Sequence, residues 1–186
     1  CLFWLTGHLS PAWDIAGLRL SYGATAANVQ VVDVMEHGVW PNDSEDDSQA
    51  LQALINDLDT AEEYSVELLL PIGELDLLQP VTIARGQLTV RGQGPGRTVL
   101  AARFDRSKGD AVLELRPTDT AALSQIHLSG FTLQPVDAAP AARLDGIGLH
   151  QVVNSSLSNL AIAPGLLEPI TLEQTENITV EQVAIQ

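Results

Sequence analysis

Asp145 and His150 bracket one short apolar strand, Gly146-Ile147-Gly148-Leu149, and form a pair of types suited to general acid/base work. Ile147 and Leu149 share one face, so His150 belongs to the other, toward solvent. A surface histidine beside a turn aspartate is the simpler reading of the same residues. His127 has the same outward parity between Ile126 and Leu128, and His37 and His8 stand alone. Asp43, Glu45, Asp46 and Asp47 offer clustered carboxylates of the kind Ca²⁺ takes. They lack the Asp-x-Asp-x-Asp-Gly spacing of a calcium loop, and helix capping accounts for them, so capping is preferred.

Arg85, Arg91, Arg97 and Arg103 recur every six residues, with Arg106 close by. On one extended strand they would make a basic stripe for an anionic sugar. Glycines between 92 and 96 break that strand, so the stripe reads as accidental. Gly92-Gln93-Gly94-Pro95-Gly96 also fails as a phosphate loop: Thr98-Val99-Leu100 follows, a strand where a helix is required. No catalytic, cofactor-binding or metal residue is assigned from the sequence.

The elements around these residues carry more information. Of 186 residues, 45% are apolar and only 4% aromatic, with 14 Gly and 10 Pro. The core must therefore be Leu, Ile, Val and Ala, side chains that stack well on pleated surfaces. A net charge of -15 makes nucleic acid a poor partner, because phosphate binding needs clustered cations. The same charge repels polyanions unless a local Arg cluster or a cation intervenes. Cys1 is the sole cysteine, which rules out an internal disulfide. No apolar run is long enough to span a bilayer.

Residues 1–27 differ from the rest. Cys1 stands where a lipoprotein carries its lipid, but Leu2, Phe3, Trp4 and Leu5 follow where a polar tether is expected. Ala24-Thr25-Ala26 fits a secretory cleavage pattern, interrupted upstream by Asp14 and Arg19. The alternative is a cap in which Trp4 and Trp13 cover the end of the core. The segment is thus an N-terminal cap or a signal remnant, and extracellular or periplasmic localisation is the corresponding expectation.

From Asn28 to Met35 the alternation predicts a strand with Val29, Val31 or Val32, and Val34 on one face. Leu51, Leu54, Ile55 and Leu58 predict an amphipathic helix over about 48–58, opened by Asp46, Asp47 and Ser48. Short strands follow around Val66–Leu70, Leu75–Leu78, Val81–Ile83 and Leu88–Val90. Then the chain repeats. Ile126–Leu133, Leu157–Ile162 and Ile178–Ile185 echo one another. Ile147 to Ile170 and Leu160 to Val183 are the same 23-residue step. A fixed period of this size is the mark of a solenoid. Longer earlier intervals place loops at 104–110, 117–122 and 135–144. Asn154, Asn159 and Asn177 are expected at turns, where Asn tolerates left-handed backbone.

Val32 to Gly96 carries an extended Val-Asp-Val segment, an Asp-Asp-Ser helix start, Leu70-Pro71-Ile72-Gly73 and Arg91-Gly92-Gln93-Gly94. This resembles the opening of the pectate-lyase-like right-handed β-helix superfamily, in its rhamnogalacturonase- and epimerase-like form. The resemblance spans about 28–186. It implies an all-β fold, a right-handed parallel β-helix with a short N-terminal capping α-helix, whose N-terminal coils are 28–186. The sequence stops on a repeat strand with no polar cap, so further coils are expected to follow. The implied function is a secreted carbohydrate-active protein, a polysaccharide lyase or glycoside hydrolase. The alternative is a non-catalytic carbohydrate-binding or adhesin- and tailspike-like solenoid, and uronate epimerase is a third reading. Polysaccharide is the implied partner, and Ca²⁺ a cofactor known from the resembled lyases. Met35-Glu36-His37 stands where Phe-Gly-Ala is usual, Leu75 replaces Tyr, and the Asn-Thr-Asp, Gly-Asp-Asp and Gly-His-Gly signatures are absent. Catalytic residues therefore transfer to no position here.

Overall fold

The computed structural model describes residues 29–58, 64–136 and 144–186, so the cap, lipid and signal readings of residues 1–27 lie outside the described residues. The described chain is mostly β-strand, paired in parallel throughout, with one α-helix.

Strands β1 (Val29–Asp33), β2 (Ser65–Leu69), β5 (Leu88–Arg91), β9 (Ile126–Ser129), β12 (Val152–Ile162) and β14 (Glu176–Ile185) stack as a first ladder. β3 (Gly73–Leu77), β6 (Thr98–Ala102) and β10 (Thr132–Pro135) form a second, which the far end of β12 joins at Thr132↔Ala161. β4 (Val81–Ile83), β7 (Ala111–Leu115), β11 (Asp145–His150) and β13 (Ile170–Glu173) form a third, separate sheet. Two-residue β8 (Leu123–Ser124) pairs with the start of β12. The chain visits the three ladders in turn and returns to the first.

Parallel registration sets like residues over like. Leu68, Val90, Leu128 and Leu157 form one inward row, and Leu75, Leu100, Leu133 and Ile162 another. In the third sheet the rows are Val81–Leu113–Ile147–Ile170 and Ile83–Leu115–Leu149–Leu172. Nearly all these side chains are fully buried, with Ile170 partly so and Leu172, on the last strand, exposed. Each buried aliphatic residue contributes about 1.5–3 kcal/mol, which replaces the large aromatic core this composition lacks.

The strand rows turn at left-handed corners. Gln87, Gln125, Asn154 and Asn177 all have φ between 49° and 57° and lie in register, one coil over the next. Asn177 Nδ2 donates to Asn154 Oδ1 at 2.7 Å. Gly130 (φ 75°), Asn159 (51°) and Gln182 (54°) make a second such column. The asparagine expectation holds, but glutamine shares the task. These corners divide the expected 126–133 strand into β9 and β10 at Gly130.

Two further expectations change. β1 ends at Asp33, because Asp33 Oδ1 accepts from Met35 N–H (3.0 Å) and opens a 3-10 turn over Val34–His37. Its inward residue is Val32, followed by buried Val34 in the turn, while Val29 (52%) and Val31 (56%) face outward.

Helix α1 (Asp47–Asp57) buries Leu51, Leu54 and Ile55, as the periodicity requires. It also closes strand edges. Gln52 accepts from Thr82 N–H (2.7 Å) and donates to Thr82 O (3.0 Å), completing edge strand β4 as a neighbouring strand would. Asn42 N–H donates to Glu74 O (2.8 Å) and Asn42 Oδ1 accepts from Glu74 N–H (3.0 Å), doing the same for β3. An open sheet edge is a template for unwanted pairing, and this segment occupies two of them.

Candidate functional site

The acidic cluster before α1 is consumed by the fold. Asp46 caps the helix through Ser48 N–H (3.0 Å) and its hydroxyl, and accepts from Leu78 N–H (3.2 Å). Asp47 receives Trp40 N–H on one oxygen and Asp76 N–H on the other, both at 2.9 Å. Asp43 accepts from Glu45 N–H (3.0 Å). Burial pushes the Asp47 carboxyl up to about 6 despite those two hydrogen bonds. Carboxylates that accept backbone N–H groups on these oxygens do not converge on a cation. The capping reading holds for Asp46, while Asp47 instead ties Trp40 to β3.

The arginine stripe is dispersed. Arg91 pairs with Glu67 (2.5 Å), Arg103 spans Asp76 (2.5 Å) and Glu74 (2.6 Å), and Arg106 pairs with Asp110 (3.1 Å). Arg85 is buried against the carbonyls of Gly86 and Tyr64. His37 ends an exposed turn, His8 lies outside the described residues, and His127 faces outward with Nδ1 2.8 Å from Ser156 Oγ.

Among the described residues one cluster remains, on the outward face of the third sheet. His150 ends β11; its Nδ1 lies 2.7 Å from Glu173 Oε2 on β13, and its Nε2 lies 3.3 Å from Arg116 Nη2, just past β7. Register places these three residues one over another, since Leu115↔Leu149 and His150↔Glu173 are direct partners. Glu114, 3.8 Å from Arg116, holds the guanidinium from the side. His150, Glu173 and Glu114 line a cleft of about 270 Å³ that Arg106, Asp110, Asp145, Gly148 and Thr171 also line, and Arg116 stands beside His150 outside that lining. Loops 103–110 and 116–122 enter and leave β7, where two of the expected insertions fall.

Asp145 lines this cleft but is not the partner of His150. Asp145 Oδ1 instead accepts from Glu168 N–H at 3.2 Å. Sequence reading missed Glu173 and Arg116. The signal for Glu173 was present: it follows His150 by 23 residues, the repeat step itself.

The arrangement has a defined chemistry. In the tautomer that donates Nδ1–H to Glu173, the neutral imidazole carries its lone pair on Nε2. The His150 side chain is 23% exposed and lies beside the half-exposed Arg116 guanidinium, giving a base next to a cation.

No family model matches the chain, and no curated protein sequence matches it significantly. Solved structures do. A family 28 exopolygalacturonase from Yersinia enterocolitica aligns over 86% of this chain and 39% of its own, with TM-score 0.66 and 11% identity. An iota-carrageenase bound to iota-carrageenan fragments aligns over 87% and 37%, with TM-score 0.67 and 19% identity. A mannuronan C-5 epimerase A-module from Azotobacter vinelandii aligns over 81% and 42%, with TM-score 0.63 and 19% identity. The chain thus spans less than half the length of each. At these identities the likeness is one of fold, and the fold shared is that of β-helix proteins. No helix among the described residues is long and apolar enough to cross a membrane.

Proposed function

We propose that these coils are the opening part of a carbohydrate-active, right-handed parallel β-helix protein of the pectate-lyase-like superfamily. Polysaccharide would lie across the outward face of β4–β7–β11–β13, outside the cytoplasm. The observation that carries this reading is the Arg116–His150–Glu173 cluster, whose His150 and Glu173 line a cleft beside the loops around β7. The three fold relatives named above act, by their names, on polygalacturonate, iota-carrageenan and mannuronan.

Within that class the cluster favours proton abstraction over hydrolysis. A glycosidase needs two facing carboxyl groups about 5–9.5 Å apart. Here Glu173 pairs with His150, Asp110 with Arg106 and, at 3.8 Å, Glu114 with Arg116, while Asp145 Oδ1 accepts from Glu168 N–H. His150 Nε2 is instead placed to take a proton from a sugar carbon beside a carboxyl group. Arg116 would meet the negative charge that then develops on that carboxyl. Its 3.3 Å contact to Nε2 is long, and a substrate carboxylate competes for the same guanidinium. β-Elimination and epimerisation share this first step.

A second reading has its own observation. The outward face of the first ladder presents Thr89, Ser156 and Thr179 in a row with Glu67 and His127, and Ser129 and Ser158 in the next row between Arg91 and Glu181, a surface of hydroxyls among charges. Such a face suits a binding solenoid without catalysis. The test is to incubate the 186-residue chain with uronate, sulfated and neutral polysaccharides, following binding and the absorbance of unsaturated products. His150→Ala should lower turnover by about 10²–10⁴-fold under the first reading. Under the second there is no turnover, and Ser156→Ala with Ser158→Ala weakens binding.

A further inference from the structure

Gly148 occupies the middle of β11, in register with Glu114 on one side and Thr171 on the other, both bearing side chains. Glycine weakens a strand interior and is retained there for a bulge, a backbone contact or a close approach. At most other strand and corner positions of this chain the reason is backbone. A Cβ on Gly146 would lie 2.4 Å from Pro169 O, and one on Gly92 would lie 2.3 Å from Gly130 O. Gly130 itself needs positive φ. Gly148 has neither reason. Its φ is not in the left-handed region, and an added Cβ would first meet His150 Nε2 at 3.3 Å, Thr171 Oγ1 at 3.4 Å and Ala111 Cβ at 3.5 Å. The imidazole therefore leans back along its own strand, over the place where a side chain at 148 would stand.

We infer that Gly148 is a positioning residue for His150. Its missing side chain gives the ring the space from which Nδ1 reaches Glu173 and Nε2 reaches Arg116 in the neighbouring strands. This rests on the functional reading of the cleft given above. A methyl group at 148 would demand a few tenths of an ångström from the ring. An isopropyl group would turn the ring out toward solvent, breaking both contacts and leaving the base unlocked.

The test is ¹⁵N-histidine NMR on the 186-residue chain at alkaline pH, where the ring is neutral, with His150→Gln identifying the His150 signals. The wild-type ring should hold its proton on Nδ1. Gly148→Val should return His150 to the mixed tautomers of a free imidazole, as Glu173→Ala does, and lower polysaccharide turnover at least tenfold. Gly148→Ala, the milder change, should shift the ¹⁵N signals part of the way and serves if the valine variant does not fold. A folded valine variant with the wild-type tautomer overturns the inference, as does an unshifted alanine variant. If the tautomer responds as stated but the wild-type chain acts on no polysaccharide, the functional reading fails and the positioning of His150 stands. If turnover exists and the glycine variants alter neither signal nor rate, the positioning fails and the functional reading stands.

Discussion

His150 and Glu173 are 23 residues apart in the chain and 2.7 Å apart in space, Nδ1 to Oε2, on adjacent strands β11 and β13. The repeat that builds the core is thus the same device that assembles the outward cluster. Removing either neighbour of the imidazole should act through the ring. Glu173→Ala is expected to lower kcat by about 10–100-fold, as loss of an orienting partner does. His150→Ala should cost about 10²–10⁴-fold. Steady-state rates on whichever polysaccharide is turned over will check this order, and equal losses would show Glu173 acting in its own right.

The amide corners make a stability prediction. Asn154 sits at φ 49° and accepts from Asn177. Left-handed backbone costs a residue with a Cβ and no local hydrogen bond about 1–2 kcal/mol. Asn154→Val should therefore be destabilised by at least that amount in denaturant melts, and Asn154→Gly by less. A valine variant as stable as the glycine variant would remove the corner argument.

Asp47 predicts a pH effect with a definite sign. Burial raises its carboxyl from 3.8 to about 6, so the folded state holds the proton more tightly than the unfolded chain. This group's contribution is therefore full below about pH 4 and is lost as pH rises to 6, by up to about 3 kcal/mol. The difference in unfolding free energy between wild type and Asp47→Asn should fall across that window. Parallel curves would contradict the assignment.

Gln52 supplies the missing neighbour of edge strand β4. Gln52→Leu leaves Thr82 N–H and C=O without that partner, at about 1–3 kcal/mol per stranded group. It also exposes an edge to intermolecular pairing. Lower Tm with increased self-association in size-exclusion chromatography is the expected result.

Much of the fold was legible in the sequence because stacked parallel strands write the same constraint repeatedly. The 23-residue step between Ile147 and Ile170 reappears as a direct strand pair. Leu51, Leu54 and Ile55 announced the helix face they bury. Tertiary polar roles were not legible. Nothing local shows that Gln52 completes a strand 30 residues away, or that Asp47 holds Asp76. For the candidate site, His150 was visible as an outward residue, but proximity in sequence paired it with Asp145. In parallel stacks the relevant neighbour is one coil away, which is where Glu173 and Arg116 lie.

The most direct measurement is polysaccharide binding and turnover by three chains: wild type, Arg116→Ala with His150→Ala, and Ser156→Ala with Ser158→Ala. The account predicts that the first pair of changes removes turnover and weakens binding, while the serine changes on the first ladder leave both intact. Turnover that survives the loss of Arg116 and His150, or binding that depends only on the serines, would place the site elsewhere.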